Sequence, residues 1–205
     1  MTRPSLSREE VLALPGVAAL VTNGPTIIGI RGFFDQPNHN QRGVFDDAAF
    51  IVGPADEEFR TFNWNTDPTI TQKGKAVLQP GTYKYKKGIH GMHHIDMKNA
   101  KDKAAYDWLL AHVGQDHPDP SYRLTYWAYR QAGPVTILRD GETVAHADGW
   151  PTAPAYIDLH RGGLGTSSDG CQTNPPAQWE ECRSYGYGLM DKYLSDIYYK
   201  LIVKS

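Results

Sequence analysis

The chain has 205 residues, 40% hydrophobic and 21% charged, with a formal net charge of −2. At ~150 residues per domain, this length points to one domain with a core large enough to need no disulfide staples. A near-neutral chain without a stripe of Lys and Arg excludes a nucleic-acid binder, and no apolar run approaches the ~20 residues of a membrane span.

Ser7-Arg8-Glu9-Glu10 has capping-box spacing and predicts a short helix to Leu14, ended by Pro15-Gly16. Thr26 to Arg31 (TIIGIR) reads as a strand, Phe33 to Arg42 as a polar loop, and Asp47 to Val52 and Phe59 to Asn63 as two further strands. Ala76 to Leu78 leads through Gln79-Pro80-Gly81 into Thr82 to Lys86, whose alternation predicts a half-buried strand. Asp102 to Val113 is the best internal helix, with Ala105, Trp108, Leu109 and His112 on one face. Leu124 to Arg130, Val135 to Arg139 (followed by the turn Asp140-Gly141) and Tyr156 to Leu159 read as strands. Pro175-Pro176 opens a helix through about Cys182, and Ile197 to Val203 is a closing strand. Twenty glycines, 14 prolines and 12 tyrosines agree with this count of turns and strands. The fold class expected is mainly β (α+β), with a few short helices.

Chemistry concentrates near the end of the chain. His160 closes a predicted strand, and Cys171 follows eleven positions later, after Gly162, Gly163, Gly165 and the turn Ser168-Asp169-Gly170. A thiol nucleophile needs a base, backbone N–H groups for an oxyanion, and room for substrate. His160 can be the base, and a turn through Gly170 can aim N–H groups at one point. Arg161 could hold a substrate carboxylate bidentately. Cys182, inside a predicted helix, reads as a small buried hydrophobe. No disulfide framework is expected from two cysteines.

The order strand, His160, Gly-rich loop, Ser168-x-Gly170-Cys171 resembles the catalytic signature of L,D-transpeptidases, the YkuD-type peptidoglycan enzymes. Leu78-Gln79-Pro80-Gly81-Thr82-Tyr83 and Gly88-Ile89-His90-Gly91 are similar to segments of that family. The resemblance spans roughly residues 76–173 and implies a β-sandwich or barrel, with residues 1–75 as an N-terminal elaboration of a single catalytic domain. It further implies Cys171 as nucleophile, His160 as base and oxyanion donors around Gly170, with Arg161, His90, Ser168 and Asp169 meeting the substrate and no cofactor or metal. The substrate implied is a peptidoglycan stem peptide, cut or exchanged at an L,D bond through a thioacyl-enzyme. Asp169 stands where the family often has histidine, and Gln172-Thr173 replace its usual arginine or asparagine. These departures fit a lytic relative, such as a phage lysis enzyme or an antibacterial effector. Met1 to Leu14 has no apolar stretch like that of a signal peptide, so synthesis in the cytoplasm and action at the cell wall are expected.

Two other readings stay open. The cluster His90-x-x-His93-His94 with Asp96, completed by His160 or His146, could hold zinc for peptide hydrolysis. The aromatic residues Tyr122, Tyr126, Trp127, Tyr129, Trp150 and Tyr156 could line the groove of a non-catalytic wall-binding or virion module.

Overall fold

The run Thr26–Arg31 forms strand β1, and all six of its residues are buried. A strand covered on both faces must read as a continuous apolar run rather than an alternation. One face, with Ile28 and Ile30, meets two short helices, α1 (Arg8–Leu12) and α2 (Val17–Thr22), through Val11, Val17 and Val21. The opposite face, with Ile27, looks into the main core. β2 (Asp47–Val52) and β3 (Phe59–Trp64) extend the sheet antiparallel from there. The expected capping box is present: Ser7 Oγ accepts from Glu10 N–H, and the Glu10 carboxylate accepts from Ser7 N–H.

The structure is a computed structural model and describes residues 1–34, 42–69, 73–90, 95–122, 126–146, 157–163, 166 and 168–204. The remaining strands are β4 (Ala76–Leu78), β5 (Gly81–His90), β6 (Tyr126–Gln131), β7 (Val135–Arg139), β8 (Glu142–His146), β9 (Leu159–Arg161), β10 (Gln172–Asn174) and β11 (Ile197–Val203). Eight of them form one sheet in the order β10-β9-β6-β5-β11-β1-β2-β3. A bridge from Asn65, just beyond β3, to Thr173 in β10 brings the two edges together, so the sheet nearly closes into a barrel. β4, β7 and β8 form a second, smaller sheet. The fold is mainly β with four α-helices among the described residues, as the sequence led us to expect. The stretch 1–75, expected as an elaboration, supplies β1 to β3 of the large sheet itself.

Two helices complete the architecture. α3 (Ala100–Ala111) begins where Asn99 Oδ1 accepts from Lys101 N–H at 2.9 Å, and it buries Ala105 and Leu109. α4 (Pro176–Tyr193) runs eleven residues past the expected end at Cys182. Its buried positions Trp179, Cys182, Gly186, Leu189 and Met190 keep helical spacing throughout, and Gly186 is part of that seam. A Cβ there would fall 2.0 Å from Tyr129 Oη, so only glycine lets the helix approach the sheet this closely. Tyr129 Oη uses the approach to donate to the Cys182 carbonyl at 2.9 Å. β9 begins three residues later than the Tyr156 to Leu159 strand expected and ends two later, and Tyr156 is outside the described residues.

Candidate active site

Sheet register assembles the site. Opposed residues in an antiparallel pair share a face, and the face alternates along each strand. His90 lies opposite Tyr126 in the β5–β6 pairing, and Ala128 lies opposite His160 in the β6–β9 pairing. His90, Arg130 and His160 therefore stand on one face. β9 and β10 pair in parallel, with Gln172 level with Leu159, so Cys171 comes level with Asp158. His160 and Cys171, eleven positions apart, are thereby brought side by side, and Asp158 N–H donates to Cys171 Sγ at 3.4 Å.

The turn carrying the thiol is held from both sides. Ser168 N–H donates to Thr69 Oγ1 (2.7 Å), Thr69 N–H to the Ser168 carbonyl (2.9 Å), and Ala76 N–H to the Asp169 carbonyl (3.1 Å). Gly170 sits at φ +154, and a Cβ on it would lie 2.9 Å from the Ala76 carbonyl oxygen. Glycine is required here both by backbone conformation and by space. Ser168 Oγ accepts from Gly170 N–H at 3.0 Å and donates to the Cys171 carbonyl.

A nitrogen of His90, a nitrogen of His160 and Cys171 Sγ lie within 4.8 Å of one another. The two imidazoles stack, with centroids 4.1 Å apart and planes at 24°. Behind them lies Asp158, whose carboxylate is fully buried. It accepts from Arg130 Nη1 (2.5 Å), from His90 Nδ1 (3.0 Å) and from Gln131 N–H (3.3 Å). His160 Nδ1 donates instead to its neighbour's carbonyl, Arg161 O, at 2.7 Å. In both contacts Nδ1 is the donor, which fixes each ring as the Nδ1–H tautomer.

The electrostatics follow from enclosure. Burial would push Asp158 up, but Arg130 and His90 outweigh it and hold the carboxyl below its usual range. Burial, with His90 beside it, lowers His160 to about 4. Burial, with the Asp158 carboxylate nearby, pushes the Cys171 thiol up to about 12. The resting pair is therefore neutral thiol and neutral imidazole. Rapid alkylation at neutral pH, which a lowered thiol would show, does not follow from this environment.

The expected site residues divide into two groups. Cys171, His160, Gly170 and His90 come together. Asp169 and Arg161 are exposed, and Asp169 pairs with Lys75. Ser168 is buried and its Oγ bridges the turn, accepting from the Gly170 N–H. Asp158 and Arg130 are the additions that sequence reasoning missed; Asp158 was visible only as a polar residue inside the apolar run YIDL. His93 and His94 lie outside the described residues, as does the side chain of His146, while Asp96 caps local backbone at Lys98. Of the aromatic residues, Tyr122, Trp127 and Tyr129 are buried in hydrophobic cores. Tyr126's side chain, Trp150 and Tyr156 are outside the described residues. Compared with known protein families, curated proteins and solved structures, the chain matches none.

Proposed function

We propose that the chain is a cysteine-dependent peptidase acting on peptidoglycan stem peptides at an L,D bond. The observation that carries the thiol chemistry is the convergence of Cys171 Sγ with two oriented histidines within 4.8 Å. The substrate class rests on the resemblance of Ser168-x-Gly170-Cys171 and His160 to the L,D-transpeptidase signature.

In this reading Cys171 Sγ attacks the scissile carbonyl while its proton passes to His160 Nε2. With the thiol held up and the imidazole held down, the transfer accompanies attack, and no stored thiolate precedes it. The buried Asp158 carboxylate offsets the charge that develops on His160, and Arg130 keeps that carboxylate ionised. We assign the oxyanion donor to the backbone of the turn around Gly170 and Cys171, where Ser168 Oγ accepts from the Gly170 N–H. His160 then returns the proton to the leaving amine, giving a thioester on Cys171. Water, deprotonated by His160, releases the acyl fragment and restores the thiol; a second amine in place of water would give transfer. Hydrolysis in a lytic role at the cell wall is the outcome we assign.

Purified sacculi incubated with wild type and with Cys171→Ala, and read by mass spectrometry, test this. Stem peptides cut by the wild type alone support it, and the fragment masses separate hydrolysis from transfer. Equal cutting by both proteins, or by neither, overturns it.

A further inference from the structure

The same three side chains have the composition of a metal site. Two imidazoles and one thiolate are a ligand set suited to zinc-type ions, with a fourth position left for water. Three ligand atoms within 4.8 Å are close to what such an ion needs. At bond lengths of about 2.0–2.3 Å, tetrahedral ligand atoms stand about 3.3–3.6 Å apart, so the atoms must close by roughly 1 Å. The stacked imidazoles, 4.1 Å apart, would have to splay to aim both nitrogens at one point.

A second observation points the same way. Histidines that hold metals commonly donate their other ring N–H to a carboxylate or a backbone carbonyl, which fixes the tautomer and aims the lone pair. Here His90 Nδ1 donates to the buried Asp158 carboxylate at 3.0 Å, and His160 Nδ1 donates to the Arg161 carbonyl at 2.7 Å. Both outer partners are in place. The Arg130 guanidinium, which would repel an ion, is paired with Asp158 at 2.5 Å.

We propose that His90 Nε2, His160 Nε2 and Cys171 Sγ bind one zinc-class divalent ion per chain. On binding, the sulfur–hydrogen bond of Cys171 breaks and a sulfur–metal bond forms. The proton leaves to solvent, the two imidazoles donate lone pairs, and no electron is transferred. Because the ion occupies Sγ, metal binding and nucleophilic attack by that sulfur exclude each other. This goes beyond the peptidase reading and does not depend on it.

The test is a titration of chelator-treated wild-type protein with Co2+, followed by displacement with Zn2+. The expected result is one Co2+ per chain, with a thiolate-to-cobalt charge-transfer band in the near ultraviolet that Zn2+ removes. Cys171→Ser should abolish the band, and His90→Gln should weaken binding at least 10-fold. Wild type alkylated at Cys171 is the companion sample should the serine variant not fold, and it should also lack the band. Absence of one-to-one binding in the wild type, or a band unchanged by both losses of the thiol, would overturn the proposal. None of these readouts involves turnover, so failure here and failure of the peptidase reading are separate results.

Discussion

The two cysteines occupy opposite kinds of surroundings. Cys182 lies on the inner seam of α4, fully buried among Trp179, Tyr187 and the face of the sheet that carries Tyr129. Cys171 lies on the tight turn before β10, half-buried, beside two histidines and a buried carboxylate. Burial pushes both thiols up, so the ionisation constant does not tell them apart. Their neighbours do. One thiol fills space in a core, and the other has groups that can take its proton and stabilise the charge left behind. On the proposed reading, what surrounds the sulfur marks out the nucleophile.

The sharpest way to break that contrast is to exchange the losses. Cys171→Ala should lower stem-peptide turnover by about 1,000-fold or more with the fold retained, as read by fragment release and circular dichroism. Cys182→Ala should leave turnover near wild type and cost about 1 kcal/mol of unfolding free energy in denaturant, from a small core cavity. Reversed effects would place the chemistry in the wrong half of the molecule.

The polar side of the comparison is sharpened by Asp158→Asn. It removes the charge facing Arg130 and His90, and losing the ion pairs of a fully buried carboxylate should cost about 3 kcal/mol, measured as a lower denaturant midpoint. A loss within a few tenths of a kcal/mol would show that the pair does not hold the site together.

Acid should expose the enclosure of His160, which burial and His90 lower to about 4. Its unfolded value is about 6.5, so the unfolded chain binds the extra proton first as pH falls. The stabilisation is complete above pH 6.5 and is lost as pH drops through about 4, by roughly 3 kcal/mol. His160→Gln should flatten that slope in urea midpoints taken between pH 7 and 4.5. Asp158, also lowered, contributes only below its unfolded value of about 3.9, so the two can be separated by window.

A further expected effect is geometric. Gly170→Ala forces a Cβ to 2.9 Å from the Ala76 carbonyl at φ +154, which should cost about 1–3 kcal/mol. The displaced turn should lower turnover more than it lowers the midpoint. Unchanged turnover would mean that the turn does not position Cys171.

Several strands were legible because their physics is local. β1, β2 and β11 are runs of apolar and β-branched residues between breakers, and both the reading and the structure place them at the same residues. α2 was missed because Pro15-Gly16 reads as an end, yet Gly16 at φ +73 turns the chain directly into a second helix with no capping side chain. β8 was missed as the return arm of the turn Asp140-Gly141, since Glu142 to His146 carries few strong strand formers. In the site, His160, Gly170 and Cys171 could be found because they lie within twelve consecutive residues. Asp158 and Arg130 are 28 positions apart and Asp158 and His90 are 68 apart. Those pairings exist only through the register of β5, β6 and β9, which no local pattern encodes.

The most direct measurement is an acid quench of wild type during incubation with a stem peptide, followed by mass mapping of the peptide that bears Cys171. The acyl fragment should be found on that peptide as a thioester, absent from Cys171→Ala and from samples blocked at the thiol. Release of fragments with the Cys171 peptide unmodified throughout, and with Cys171→Ala equally active, would contradict a thiol nucleophile at this site.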